Sequence, residues 1–283
     1  MRLSRREFQD WEGKCVTLIG MAGVGKTRVA GMLEAHEWFH YSADYRIGTR
    51  YLGEPILDNI KQEAMRIPFL RDLLRSDSIY ISNNITVENL DPVTSFLGKL
   101  GNPERGGLAL GEFRRRQALY RKALIAAMED VPEFIRKARE VYGYRHFVND
   151  TAGGICEIDR PEMIDLLAKH TLILYVRPTP EEEQRLLRSV EEDLRPLCYR
   201  EEFLDEQLAA YMRETGLPYV ALIEPEQLYH WILPRLYSER ARRYERIASG
   251  GGYTVTMAEL EEARDEKGFL DLVERAIDRA PRD

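Results

Sequence analysis

The sequence predicts an α/β fold: three layers, with a mainly parallel sheet between helices and a largely helical insertion beside it. Three observations carry this. Short apolar runs alternate with longer amphipathic stretches, the rhythm of strand–helix–strand units. A glycine-rich segment at 20–27 separates the first such strand from the first such helix. Two long stretches, 57–111 and 195–233, break the rhythm and are read as enlargements of one domain spanning 1–283.

Residues 15–19, CVTLI, contain no charge and are read as a buried first strand. A helix is expected at 26–36, where Val29, Ala30, Met32 and Leu33 supply an apolar face. A second strand is expected at 38–41. Helices follow at 113–128 and at 132–141, the latter with Pro132 in its first turn, where the missing N–H does no harm. Phe147 and Val148 end a third strand. The helix at 160–169 leads into a fourth strand at 171–176. Residues 180–194 read as a helix whose first-turn acids suit its dipole. A helix at 234–247, a last strand at 253–257 and a closing helix at 268–280 complete the chain.

The chain has 283 residues, 41 Lys and Arg against 48 Asp and Glu, and a net charge of −7, which argues against a polyanion-binding surface. No nucleic-acid partner is expected. The longest strongly apolar runs, 16–19 and 172–176, are far below the ~20 residues of a membrane span. The N-terminus is charged and lacks an apolar signal core, so neither membrane insertion nor secretion is expected. Cys15, Cys156 and Cys198 share no metal-ligand spacing and are read as reduced thiols in a cytoplasm. His36 and His40 lie four apart but lack the rest of a metal-binding pattern. Charge is uneven: residues 101–145 carry ten Lys and Arg against six acids, while 179–206 carry ten acids against four Arg. Both fit solvated helix faces; the basic stretch would also suit an anionic ligand.

The strongest signal is Gly20-Met21-Ala22-Gly23-Val24-Gly25-Lys26-Thr27, which fits GxxxxGK[ST] between an apolar strand and an amphipathic helix. Such glycines let the chain curl so that successive N–H groups point inward at phosphate oxygens. The helix N-terminus adds partial positive charge. Lys26 is expected to reach the β- and γ-phosphates, and the Thr27 hydroxyl to ligate Mg²⁺. The expected nucleotide-binding set is Gly20, Ala22, Gly23, Val24, Gly25, Lys26, Thr27 and Arg28. The alternative is a glycine-rich turn without a ligand. The motif does not select a reaction, because motors, switches and small-molecule kinases share it.

Five further segments fall in the order found in the shikimate kinase family of P-loop small-molecule kinases, within the nucleoside-monophosphate-kinase-like fold. Residues 42–56, SADYRIGTRYLGEPI, resemble that family's DxDxxIxxRxGxxI. Glu112-Phe113-Arg114-Arg115 is similar to its EFRxxE helix start. Thr151-Ala152-Gly153-Gly154 stands where the family has a glycine run. Leu194-Arg195-Pro196-Leu197 resembles its lid motif. Ser238–Tyr244 is similar to its R-x-x-x-Y helix. The resemblance implies an ATP- and Mg²⁺-dependent kinase acting on a hydroxyl of a small, shikimate-like acidic metabolite. It implies that Asp44 orients the accepting hydroxyl, that Arg114 and Arg240 clamp a carboxylate, and that Gly153 and Gly154 admit the substrate to the backbone. It also implies that Arg195 closes over the transferred phosphoryl group. The blander alternatives are a helix cap for Asp44, surface cations for the three arginines, and a plain turn for the glycines.

The chain departs from the family in two ways. Ser42 stands in place of the first carboxylate of DxD; Asp150, at the end of the third strand, is the expected replacement beside Mg²⁺. Both enlarged segments flank the substrate cleft, 57–111 as a substrate-binding or cap segment and 195–233 as an enlarged lid region. They suit a larger acceptor, fuller coverage or an oligomer contact; the acceptor and the oligomeric state stay open. Two other functions fit the same residues. One is a P-loop ATPase or ATP-dependent switch whose insertion docks a protein. The other is a toxin-like kinase of a sugar nucleotide.

Overall fold

The computed structural model describes residues 2–192 and 197–280. Five strands form its sheet: β1 (Cys15–Ile19), β2 (Trp38–Ser42), β3 (His146–Asp150), β4 (Leu172–Arg177) and β5 (Tyr253–Thr256). All neighbours pair in parallel, in the order β2-β3-β1-β4-β5. β1 and β3 are buried along their whole length, as strands covered on both faces must be.

Alternation along β2 and β3 divides the core into its two layers. On one face Trp38 meets Phe269 edge-on at 5.8 Å, and its indole N–H donates to Glu266 of the closing helix at 2.7 Å. On the other, Tyr41 and Phe147 stack at 6.0 Å, and the Tyr41 hydroxyl donates to the Ala127 carbonyl at 2.6 Å. The expected strand and helix order is therefore found, with ends shifted by a residue or two at most sites.

One reading is corrected. The helix expected at 234–247 runs over Pro225–Ser249 and passes through Pro234. Proline removes one backbone bond and costs about 3 kcal/mol in a helix interior. Burial of Ile232, Leu233 and Leu236 around it favours continuation. The two enlarged segments meet in a second core. The first holds helices Gly53–Ala64, Pro68–Arg75 and Asp91–Leu97, and the second holds Glu201–Thr215. Leu100 and Phe113 join Tyr199, Phe203, Leu204, Leu208, Tyr211, Ile223, Leu228, Ile232 and Leu236 in a second core.

The turn at 101–107 makes that junction. The Asn102 N–H donates to the Ile223 carbonyl at 2.8 Å, and a Cβ on Gly107 would stand 2.6 Å from the Gly101 carbonyl carbon and 2.8 Å from Pro225 Cγ. Backbone cannot yield there as a flexible side-chain end would. Gly107→Ala is therefore expected to destabilise the protein by roughly 1–3 kcal/mol, read as a lower urea midpoint with easier proteolysis inside 201–224. An unchanged midpoint and cleavage pattern would mean that the two segments do not depend on each other.

Candidate functional site

Parallel register places three strand ends level. Asp150 lies opposite Leu18 of β1 and opposite Ser42 of β2. The chain therefore leaves β1, β2 and β3 at one carboxyl edge, where the connections part to either side of β1 and where ligands of open α/β sheets bind.

The loop after β1 curls as its glycines predict. Gly20, Gly23 and Gly25 have φ of 149°, 87° and 94°. Gly20 is fixed by more than its backbone angle: a Cβ there would stand 2.9 Å from the Val176 carbonyl oxygen of β4. Buried Val24 pins the loop from beneath, and the helix Lys26–Glu34 starts directly after Gly25. Lys26 crosses back over the loop and donates to the carbonyls of Gly20 and Met21, at 2.9 Å each. Burial lowers its pKa, while Asp150 and Asp44 act to raise it. Arg28 instead ties the loop helix to the Leu260 carbonyl at 2.7 Å.

Asp150 accepts the Thr27 hydroxyl at 2.7 Å. His40, on the same face of β2, brings its buried Nε2 to 3.6 Å from the same carboxylate oxygen without a hydrogen bond. Thr27 and Asp150 are thus adjacent oxygen donors beside the curled loop, which fits Mg²⁺, an ion that takes one or two protein oxygens and completes its shell with phosphates and water. Among the described residues no group of three or more His, Cys, Asp or Glu is placed to hold a metal ion.

Asp44 follows β2 within a short helix capped by Ser42, whose hydroxyl accepts the Tyr45 N–H at 3.4 Å. The cap is therefore Ser42 and not Asp44. The Tyr120 hydroxyl donates to Asp44 Oδ1 at 3.3 Å, while Oδ2 has no protein partner among the described residues. Burial, and then the Asp150 carboxylate, push the Asp44 pKa up to about 6, against the pull of Lys26 and Tyr120. An isolated acid at a strand end would not behave so; this one is held near the working range of a general base.

The two glycines after β3 lie apart in role. Gly153 abuts the loop: a Cβ would stand 2.9 Å from the Ala22 nitrogen. Gly154 faces Cys198 and Arg240, with a Cβ reaching 3.5 Å and 3.8 Å from them. Arg240 is buried and lies near enough to Lys26 and Tyr120 to affect both. Its Nε donates to Glu157 at 2.8 Å and its Nη2 to the Cys198 carbonyl at 2.7 Å. Burial is the largest single influence and opposes its charge, but Glu157, Cys156 and Tyr244 together raise its pKa.

Arg114 does not join it. Its guanidinium is exposed and pairs with Asp205 at 2.6 Å. The neighbouring motif residues are spent locally: Glu112 accepts from Arg115 at 2.8 Å and from Arg116 at 2.6 Å. The expected two-arginine carboxylate clamp is therefore not assembled. The reason is helical phase. On the Leu110–Glu129 helix, Phe113, Gln117, Tyr120 and Leu124 turn inward, so Arg114 turns out. Arg195 lies outside the described residues.

Sequence reasoning missed Tyr120, Glu157 and Gln117. Gln117 donates to the Leu197 carbonyl and accepts the Tyr199 N–H, both at 2.9 Å, fastening the 197–199 segment to the Leu110–Glu129 helix. Its polar side chain in an otherwise apolar helical stripe was the available signal. Glu157 left none. Cys156 and Cys198 are buried free thiols pushed up to about 12 by that burial, which makes them poor nucleophiles. Comparisons of the chain with protein-family models, curated proteins and solved structures find no match. No described helix is long and apolar enough to cross a membrane.

The Asp44 environment sets a sign for stability. Its folded pKa of about 6 lies above the ordinary 3.8, so the folded state binds its proton more tightly than the unfolded state. That contribution is present below about pH 4 and is lost as pH rises through about 6. Asp44→Asn is expected to be more stable than the parent at about pH 8 by roughly 1–3 kcal/mol, with the gap closing toward about pH 4. Urea unfolding at both pH values checks this; a gap independent of pH would contradict the buried-charge account.

Proposed function

We propose that the protein is an ATP- and Mg²⁺-dependent phosphotransferase whose acceptor is a hydroxyl of a small molecule. One observation carries the reading: the curled loop with Lys26, the Thr27–Asp150 pair, and Asp44 with an unspent oxygen all meet at level ends of adjacent strands. A nucleotide-dependent switch needs the first two alone. A carboxylate with a raised pKa across from them is what an alcohol acceptor requires.

In this mechanism the loop amides bind the phosphate tail, and Lys26 exchanges its two carbonyl partners for phosphate oxygens. Thr27 and Asp150 would hold Mg²⁺, which when bound offsets phosphate charge. Asp44 Oδ2 accepts the acceptor's hydroxyl proton. The acceptor oxygen forms its bond to the γ-phosphorus as the bond to the β–γ bridging oxygen breaks, and ADP leaves. Gly153, pressed on Ala22, keeps the β3 loop in register with the phosphate loop.

A second reading has its own support. In the first insertion Ile67, Phe69 and Tyr80 are 52%, 71% and 89% exposed, and the Pro68–Arg75 helix has no buried residue. A switch that docks a protein through this segment would hydrolyse ATP without any acceptor.

Lys26→Ala is expected to abolish ATP binding by calorimetry. Asp44→Asn should bind ATP within a few-fold of the parent and lose about 10²–10⁴-fold in acceptor-dependent ADP release. If Asp44→Asn loses ATP binding instead, Asp44 belongs to the nucleotide site. If ADP release is the same with every acceptor and with none, the switch reading replaces the kinase.

A further inference from the structure

We infer that the cleft between the Pro161–His170 and Pro225–Ser249 helices is a second binding site, suited to a small carboxylic acid with an apolar body. The cleft has a volume of about 560 Å³, within the range of small-molecule pockets. It is separate from the candidate phosphate site: none of residues 20–27 lines it, and neither do Asp44 and Asp150.

Its lining is apolar inside and charged at the rim. Buried Cys156 and Ile158 and half-buried Ile164 and Ile247 supply the apolar surface. Arg243 fastens one side of the cleft. It donates to the Cys156 carbonyl at 2.5 Å and pairs with Asp159, which ties the long helix to the 156–159 segment.

Five charged residues line the cleft: Arg160, Arg243, Arg246, Asp159 and Asp165. Arg243 and Asp159 satisfy each other. Arg160 and Arg246 make no hydrogen bond or ion pair through their side chains among the described residues, and neither does Asp165. Two unmatched guanidinium groups against one unmatched carboxylate leave one positive charge over.

That surplus selects the ligand. It balances a carboxylate, whose paired oxygens match the guanidinium fork. A phosphate monoester carries close to two negative charges and a nucleotide more, so each would bring charge that the cleft does not match. An amine would meet two cations. An uncharged compound would gain from its apolar part alone. Arg160 and Arg246 are exposed, so the acid head belongs at the rim and the apolar body against the isoleucines.

The test is calorimetric titration of the whole chain with four compounds that share one body and differ in their heads: phenylbutyrate, phenylbutylamine, phenylbutanol and phenylbutyl phosphate. Phenylbutyrate is expected to bind with a Kd below about 1 mM, at least about tenfold tighter than the amine or the alcohol and tighter than the phosphate. Arg160→Gln/Arg246→Gln should weaken it about tenfold or more. Asp165→Asn should tighten it about threefold, since the like charge is gone. All three positions are exposed, so both variants should keep the parent's urea midpoint. Equal or tighter binding of any other head would overturn the inference. So would phenylbutyrate binding that the arginine variant leaves unchanged, or none below about 10 mM; Arg160 and Arg246 would then be solvated surface cations. No ATP is consumed in these titrations, so the phosphotransferase reading stands or falls separately.

Discussion

Everything at the carboxyl edge of the sheet depends on parallel pairing in one register. A strand buried on both faces must have each backbone donor and acceptor matched by its neighbour, so it cannot slide without orphaning several groups at once. Leu18, Ser42 and Asp150 are held level by that requirement. Three loops from distant parts of the sequence thereby start from one line. The Thr27–Asp150 bond, the contact of Gly153 with Ala22 and the influence of Asp150 on Asp44 all follow from where the strands end.

Buried charge is the second determinant. Arg240 and Glu157 are separated by 83 positions in sequence yet lie together with almost no exposure. Such a pair rarely adds net stability, because desolvation consumes most of the attraction, but removing one partner is strongly destabilising. Arg240 also donates from Nη2 to the Cys198 carbonyl, and this bond fastens the segment at 197–200 to the Pro225–Ser249 helix. Gln117 and Arg121 fasten the same segment to the Leu110–Glu129 helix.

Local pattern made the strands, most helices and the curl of the glycine-rich loop legible in the sequence, because each depends on neighbours within a few residues. Asp44 was legible for the same reason: it sits just past an apolar strand. What failed was non-local. Three consecutive arginines at 114–116 differ by about 100° in direction, and only the packing of Phe113 and Tyr120 decides that Arg116 is buried while Arg114 faces Asp205. Pro234 signals a helix start by local rule, and the second core overrides it. The turn at 101–107 takes its partners from far along the chain, the Ile223 carbonyl and Pro225. One local signal went unread: Ser4 and Glu7 form a capping box that opens a helix at Arg5.

The three hydrogen bonds that Lys26 and Thr27 make within the protein bear on how a nucleotide would be received. Each polar group that the proposed mechanism aims at phosphate or metal already has a partner of the matching kind: carbonyl oxygens for the ammonium, a carboxylate for the hydroxyl. Binding would then exchange hydrogen bonds instead of creating them, so its net gain comes from charge and from groups already in position. That same exchange alters Asp44. Drawing Lys26 toward phosphate removes part of the pull that keeps the Asp44 pKa from rising further, while Mg²⁺ at Asp150 removes part of the push. The two changes oppose each other. A loop loaded with nucleotide alone would leave Asp44 more strongly protonated than one loaded with the metal complex. In the proposed reaction, the base is thus ionised most readily when the phosphate charge is already offset.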